Sequence, residues 1–142
     1  MVLIHACGFI IYTMTANNEP TYLLIRSAKG KMWGYPKGKQ DPDELDVETA
    51  RREVKEETGI TVKRLDGFKK DIHYLSRKDK PKRLTLFLGK AKHTNVVLKA
   101  DEVDSYDWLT YEQALDRLSF RDLMQPLTLA HRLVRQQEGD FT

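Results

Sequence analysis

The sequence has a single cysteine, few prolines and no long apolar run. Cys7 has no second cysteine to pair with, so an internal disulfide is excluded. The longest apolar stretches hold only a few residues, far fewer than the roughly 20 that a helix needs to cross a bilayer. The first residues lack the charged and apolar regions of a secretion signal. We therefore expect no membrane segment and a reducing, cytoplasmic setting.

Charge of one sign is not in large excess either. The 24 Lys and Arg residues nearly balance the 21 Asp and Glu residues, and the net charge is only +3. A hydrophobic fraction of 40% and a charged fraction of 32% are typical of a globular protein and exclude a disordered or fibrous chain. We expect residues 1–142 to form one domain. Nothing in the sequence predicts an oligomeric state.

The basic residues are nevertheless unevenly distributed, because Lys and Arg cluster in residues 69–83. One interpretation is a phosphate-binding surface, and the other is a solvated hairpin tip that keeps a sheet edge soluble. No recognised nucleic-acid-binding motif accompanies this run, so RNA is a possible partner that the sequence does not favour.

Hydrophobic periodicity predicts an α/β fold with a mixed sheet. A helix is expected to start with Asp43 or Asp46 as its N-cap and to end at Gly59, and another is expected to start at Thr110 as its N-cap. The predicted strands are 6–12, 22–25, 60–68, 70–75, 83–91 and 106–109. A loop with short extended pieces is predicted for 29–43, and a last helix for 123–137.

Three glutamates recur at helical spacing, since Glu53, Glu56 and Glu57 are separated by three and four positions. Carboxylates that converge on one face repel, at a cost of about 1 to 4 kcal/mol per pair. Mg²⁺ offsets this cost because it prefers carboxylate oxygens and bridges to phosphates. The alternative is a solvated helix face in which Arg52 pairs with Glu56.

The surrounding pattern favours the metal-binding interpretation. Gly38 is followed after five residues by Glu44, and after seven more by Arg52 and Glu53; an aliphatic residue, Glu56-Glu57, Gly59 and another aliphatic residue complete it. This stretch, GKQDPDELDVETARREVKEETGI (38–60), resembles a complete Nudix box. The chain is therefore identified as a member of the Nudix hydrolases. The resemblance implies an α/β/α sandwich that uses Mg²⁺, with Mn²⁺ as a possible substitute, to cut a phosphoanhydride in a nucleoside diphosphate linked to a group X.

The resemblance also implies a role for each position of the box. Glu53, Glu56 and Glu57 would coordinate metal, and Glu57 or Glu53 would assist the attacking water. Arg52 would support the site, and Glu44 would tie the loop to Arg52. Gly38 would allow the backbone to approach closely and would offer its carbonyl as a metal ligand. Gly59 would end the helix, and Lys37 would contact phosphate.

Residues 33–38 and 41–44 resemble the asymmetrical diadenosine tetraphosphate hydrolases, with Asp43 where that family has glycine. Diadenosine tetraphosphate would yield ATP and AMP. Tyr74 would stack on adenine, and Phe87 is a candidate second ring if it faces the cleft. The alternative for both rings is ordinary packing within their strands. Glu102, six residues before Trp108, would bind metal or act as the base. The remaining candidates for phosphate contacts are Lys80, Lys82 and Arg26.

Other functions stay open at this stage. They are hydrolysis of RNA 5′ caps or 5′ diphosphates, of diphosphoinositol polyphosphates, or of oxidised nucleoside triphosphates, and a non-catalytic module that binds nucleotide or RNA. The intact glutamate set argues against the non-catalytic module. The four histidines show no metal-ligand spacing, and we expect them to be structural or surface residues.

Overall fold

Strands form where aliphatic and aromatic residues cluster, and helices form where apolar residues recur at helical spacing. The structure is a computed structural model and describes residues 3–75 and 79–139, so Arg77 and Lys78 of the basic run lie outside the described residues. In chain order the elements are β1 (Ile4–Met14), β2 (Pro20–Ser27), β3 (Trp33–Gly34), β4 (Lys37–Lys39), α1 (Asp46–Thr58), β5 (Val62–Leu75), β6 (Pro81–Ala91), β7 (Val103–Thr110), α2 (Tyr111–Arg117), a 3₁₀ turn (Arg121–Leu123) and α3 (Met124–Gln137).

The strands form a mixed sheet, as predicted. Their order is β3-β2-β1-β6-β5, with β4 also pairing with β1 and β7 with β2. β1 and β6 run parallel, and the other pairs are antiparallel. The predicted strands 6–12 and 22–25 pair as an antiparallel hairpin, in which Tyr12 lies opposite Tyr22. β1 thus pairs with three strands, β2, β4 and β6, and it positions the short strand β4 that begins the Nudix box.

β1 is buried on both faces of the sheet. Because successive side chains of a strand point to opposite faces, Cys7, Phe9 and Ile11 pack beneath α1 while Ile10 and Tyr12 pack beneath α2 and α3. Helices therefore cover both faces, which confirms the expected α/β/α sandwich. Across residues 3–75 and 79–139, no helix is long and apolar enough to cross a membrane.

The prediction of separate strands at 60–68 and 70–75 was wrong. β5 is one strand, and its register with β6 shifts between Arg64 and Lys69. Gly67 lies within this irregularity with φ of 90°. An irregularity of this kind kinks a strand without ending it, so the glycine marks a bulge rather than a turn. β7 also begins earlier than predicted, because Val103 already pairs with Ser27 of β2.

The start of α1 also differs from the prediction. Its N-cap is Leu45, whose side chain has no acceptor, rather than Asp43 or Asp46. The Leu45 N–H instead donates to the Glu48 carboxylate at 2.8 Å, which is one half of a capping box. Asp43 lies in a left-handed turn with φ of 72°, and Asp46 is already the first helical residue.

The predicted cap residues at two other helix ends are confirmed. Gly59 ends α1 with φ of 73°, and its N–H donates to the Lys55 carbonyl at 2.9 Å. Thr110 caps α2, because its hydroxyl oxygen accepts the Gln113 N–H at 3.3 Å.

Gly59 provides a test of the helix end. Gly59→Ala is expected to lower the free energy of unfolding by about 1 to 2 kcal/mol, because an L-residue is strained in the left-handed region. A Cβ at this position would meet Val97 at an ordinary 3.5 Å, so the cost belongs to the backbone. Gly59→Asn should cost clearly less, since asparagine tolerates this conformation. Equal losses for the two variants, measured by urea denaturation, would contradict the assignment.

Candidate active site

Three carboxylates converge at one end of the sheet. Glu53 and Glu57 come from α1 and Glu102 from the loop before β7, and each offers an oxygen within 4.8 Å of the others. Glu53 and Glu57 are four residues apart, so they share a helix face. An all-oxygen set of this kind matches the ligands that Mg²⁺ prefers, so these residues fit the expected cation.

Gly38 allows β4 to lie directly against this group. It pairs with Cys7 of β1, and a Cβ added to it would overlap the Glu53 carboxylate. Any larger residue would therefore displace Glu53, which gives the glycine of the box a steric reason.

Arg52 is the cation that organises the box. Its guanidinium makes two bonds to Glu44, from Nε at 2.7 Å and from Nη2 at 2.9 Å, and a third from Nη1 to Glu53 at 2.8 Å. Glu44 also accepts the Asp41 N–H, and these bonds, the Arg52 pair first, lower its pKa to about 2. The predicted tie between the loop and the helix is therefore present, and it orients Glu53.

Burial raises the pKa of Glu57 and of Glu53. Glu57 is 9% exposed, and burial raises its pKa to about 7, although Lys37 opposes this through its charge and through a backbone N–H bond of 3.0 Å. Burial also raises the pKa of Glu53, against the effect of Arg52. The folded protein therefore holds negative charge here at a cost that a bound cation would offset.

Glu56, the third predicted ligand of the helix, lies outside the convergent group. Its side chain is 44% exposed, and Arg52 Nη1 approaches it at 3.4 Å. Its assignment as a metal ligand stays a prediction.

A cavity of about 450 Å³ opens beside the carboxylates. Glu57 and Glu102 lie in its wall, together with three of the predicted phosphate-binding residues, Lys37, Lys80 and Lys82. Burial, then the neighbouring charges of Lys37 and Lys80, lowers the pKa of Lys82. This crowding of cations means that an anion in the cavity would be stabilised.

Aromatic side chains also line the cavity. Tyr74 and Phe120 contact each other with ring centroids 5.3 Å apart, and both line the cavity with Trp33. Phe120 was missed by sequence reasoning, because it lies in the short link between α2 and the 3₁₀ turn, where no periodicity marks it. An aromatic wall next to a basic one suits a ligand that combines a base with phosphates.

Two predicted substrate contacts need correction. Phe87 is 2% exposed and packs against Phe9 beneath α1, with the Arg64 guanidinium 4.7 Å from its ring centroid. It faces the core rather than the cavity, so it is not the second adenine-binding ring. Arg26 lies outside the cavity wall, and its Nε pairs at 2.8 Å with Asp104, a carboxylate that Lys31 also contacts, so Arg26 is held against β7.

Comparison with known proteins agrees with this geometry. The family model of the NUDIX domain matches residues 5–129. The chain therefore belongs to the Nudix hydrolase family.

Within this family, the chain is similar to asymmetrical bis(5′-nucleosyl)-tetraphosphatases. The asymmetrical bis(5′-nucleosyl)-tetraphosphatase of Mus musculus is 34% identical over 141 residues, covering 92% of this chain and 95% of the relative. The enzyme of that name from Caenorhabditis elegans is 30% identical over 125 residues, covering 86% and 90%. Among solved structures, a C. elegans Ap4A hydrolase binary complex superposes with a TM-score of 0.87 at 25% identity, covering 94% of this chain and 99% of that one.

The role of Arg52 predicts a metal-dependent phenotype. Arg52→Lys keeps the charge but loses the two-pronged bond to Glu44, so Glu53 loses its orientation. We expect the Mg²⁺ concentration for half-maximal rate to rise about 10- to 100-fold. Arg51→Lys is the matched control, because Arg51 donates to the Val62 carbonyl and not to the box. An unchanged Mg²⁺ midpoint in Arg52→Lys would contradict this role.

The environment of Glu57 predicts a pH-dependent stability. Its pKa is about 7 when folded against 4.5 for a free carboxyl, so the folded state binds this proton more tightly than the unfolded state. The group stabilises the fold below pH 4.5, and this contribution is lost as pH rises to 7. Glu57→Gln should therefore raise the free energy of unfolding at pH 8, without divalent cations, by up to about 3 kcal/mol.

Urea denaturation in EDTA at pH 4 and pH 8 checks this prediction. The advantage of Glu57→Gln should disappear at pH 4, and Mg²⁺ at pH 8 should stabilise the unmodified protein more than the variant. Glu56→Gln, at an exposed position, is the matched control. A stability difference that stays constant with pH would show that the burial of Glu57 is not the cause.

Proposed function

We propose that this Nudix hydrolase uses Mg²⁺ to cleave diadenosine tetraphosphate into ATP and AMP. The observation that carries the proposal is one cavity whose wall combines carboxylates, lysines and aromatic rings. A dinucleoside polyphosphate carries the matching groups, because it has a reacting phosphate that a cation would bind, further phosphates and a base. The names of the relatives from Mus musculus and C. elegans support this substrate class.

Glu53, Glu57 and Glu102 would hold the cation. When bound, Mg²⁺ supplies positive charge that stabilises the phosphate oxygens. Mn²⁺ has the same preference for oxygen ligands and is a possible substitute. Arg52 and Gly38 keep Glu53 in place on the side away from the cavity.

Glu57 is the proposed acceptor of the proton from the attacking water. It faces the cavity, while Glu53 is bonded to Arg52 behind it. The backbone N–H of Lys37 holds one Glu57 oxygen at 3.0 Å, which fixes the direction of the carboxylate. Glu102 also faces the cavity and is the second candidate for this role. A positioned carboxylate base contributes about 10²- to 10⁴-fold to a rate.

Lys37, Lys80 and Lys82 would hold the phosphates that do not react. Their convergence on one wall offsets charge on the polyphosphate, and charge-assisted bonds are stronger than neutral ones. Tyr74 and Phe120 offer apolar surface for an adenine, and Phe120 takes the place of Phe87, which the sequence offered as a candidate second ring. The bond between the ATP part and the AMP part of the substrate would be cut beside the carboxylates.

The main alternative is hydrolysis at RNA 5′ ends. An mRNA-decapping enzyme subunit 2 of Arabidopsis thaliana is 34% identical to this chain, but only over 87 residues, covering 61% of this chain and 23% of that protein. The tetraphosphatases match over nearly their whole length, which favours the dinucleotide. A cytoplasmic location is part of the same proposal, because a chain with a single cysteine has no internal disulfide that needs an oxidising compartment.

A substrate panel tests the proposal. Purified protein with Mg²⁺ is incubated with diadenosine tetraphosphate, capped RNA, diphosphoinositol phosphates and oxidised dGTP, and the products are resolved by chromatography. ATP and AMP should form from the dinucleotide with the highest kcat/KM, and Glu57→Gln should lose about 10² to 10⁴ in kcat while still binding substrate. Faster cleavage of another substrate would overturn the choice of dinucleotide. Binding without cleavage of any substrate would favour the non-catalytic module.

Lys82→Ala tests the phosphate wall separately. Loss of one charge-assisted contact should raise KM for the dinucleotide by about 10-fold or more. Lys63→Ala removes an exposed lysine of β5 that lies outside the cavity, and it should leave KM unchanged. KM for capped RNA is measured over a range of salt concentrations as well. If it rises with salt much more steeply than KM for the dinucleotide, an extended basic surface that binds RNA would be indicated instead.

A further inference from the structure

A second group of possible ligands lies beneath the start of α1, on the β1 side of the Nudix box. His5 and Cys7 of β1 and Asp46 of α1 each offer one ligand atom, and these atoms lie within 4.8 Å of one another. His5 and Cys7 are two residues apart, so their side chains leave the strand on the same face. This group contains a nitrogen, a sulfur and an oxygen, and it shares no residue with the carboxylate group of Glu53.

The spacing within the group fits a metal ion. His5 Nε2 and Cys7 Sγ are 3.7 Å apart. Zinc binds nitrogen at about 2.0–2.1 Å and sulfur at about 2.3 Å with tetrahedral angles, which places two such atoms about 3.6 Å apart. The two ligand atoms of β1 therefore need almost no movement to share one ion.

Gln40 orients two of the three ligands. Its carbonyl oxygen accepts from His5 Nδ1 at 2.9 Å, and its amide nitrogen donates to the Asp46 carboxylate at 2.8 Å and to the Glu44 carbonyl at 3.0 Å. The two donations assign the direction of the amide, so His5 Nδ1 carries the proton. Histidines that bind metals characteristically donate their other ring N–H to an oxygen in this way.

The opposite ring nitrogen faces an oxygen that has no proton to give. His5 Nε2 lies 2.8 Å from Thr85 Oγ1, and the Thr85 hydroxyl donates its single hydrogen to Asp71. In neutral His5, the lone pairs of Nε2 and of Oγ1 therefore point at each other beside the Cys7 sulfur. Without a cation, the protonated Cys7 thiol 3.7 Å away is the donor available to Nε2, and a metal ion in place of this proton would bond to both atoms.

We propose that His5 Nε2, Cys7 Sγ and the Asp46 carboxylate form a binding site for a zinc-class divalent cation. Mixed nitrogen, sulfur and oxygen ligands select such an ion, whereas Mg²⁺ requires oxygen ligands. On binding, the Cys7 S–H bond breaks, its proton passes to solvent, and the sulfur bonds to the metal. Nε2 exchanges its contact with Thr85 for the metal, and Thr85 keeps its bond to Asp71.

The chemistry of Cys7 is consistent with this exchange. Burial, followed by the charge of Asp46, raises the pKa of the thiol to about 12, so the sulfur keeps its proton when no cation is present. A cation between the sulfur and Asp46 would share that carboxylate with Lys69, whose Nζ lies 3.6 Å from it, and metal ions deprotonate the thiols that they bind. The ion would join β1 to the first turn of α1. The proposal stands apart from the proposed function, because none of its ligands faces the substrate cavity.

Cobalt substitution tests the site without any assay of activity. Cys7 is the only cysteine of the chain, so a near-ultraviolet thiolate-to-Co²⁺ charge-transfer band can come only from this residue. With excess Mg²⁺ present to fill the oxygen sites, we expect Co²⁺ to produce this band and Zn²⁺ to remove it by competition. Glu57→Gln should keep the band, and Cys7→Ser should lose it.

Two further variants complete the test. His5→Gln and Asp46→Asn should each weaken Co²⁺ binding by 10-fold or more, while melting curves in EDTA show that both remain folded. If Cys7→Ser does not fold, these variants decide the outcome. The proposal is overturned if the unmodified protein shows no charge-transfer band, or if His5→Gln and Asp46→Asn bind Co²⁺ as tightly as the unmodified protein does.

Discussion

The structure depends on holding three carboxylates close together, each beside a basic residue. Two carboxylates at close range repel by about 1 to 4 kcal/mol, and Glu53, Glu57 and Glu102 form three such pairs. Arg52 offsets this repulsion from the side of Glu53. Lys99 Nζ pairs with the Glu102 carboxylate at 3.2 Å, and Lys37 stabilises the Glu57 carboxylate through its charge and its backbone N–H. Glu57 and Glu102 line the cavity, so their negative charge can hold a cation there, and that cation can in turn contact a phosphate.

Much of this centre could be predicted from sequence because its parts are close along the chain. Arg52 meets Glu44 and Glu53 within one loop and two helical turns, so their spacing largely determines their contact. Gly59 ends the helix through a conformation that depends on a single residue. Glu102 is far along the chain, and it was found only by its resemblance to a family position. The structure places it beside Glu53 as that resemblance implied.

The parts that could not be predicted depend on which face of a strand a residue occupies. Phe87 was a candidate for the second adenine-binding ring only if it faced the cavity, but its register places it on the face with Phe9, while Leu86 faces the other core. A shift of one residue would reverse this arrangement, and no local pattern fixes it. Phe120 supplies the aromatic ring instead, from a link that has no periodicity. Arg26 looked available in sequence because its partner Asp104 lies on a different strand.

The pairing of β1 with β4 connects the active site to the group formed by His5, Cys7 and Asp46. Cys7 pairs with Gly38 across β1 and β4, and Gly38 lies against the Glu53 carboxylate. A metal bound by Cys7 and Asp46 would therefore tie down both ends of the loop that positions Gly38. Because sulfur and nitrogen ligands exclude Mg²⁺ and the carboxylate group favours it, the two sites select different ions. The two sites differ in ligand chemistry but are connected through the backbone pair of Cys7 and Gly38. A metal ion in the second site would therefore affect the position of Glu53.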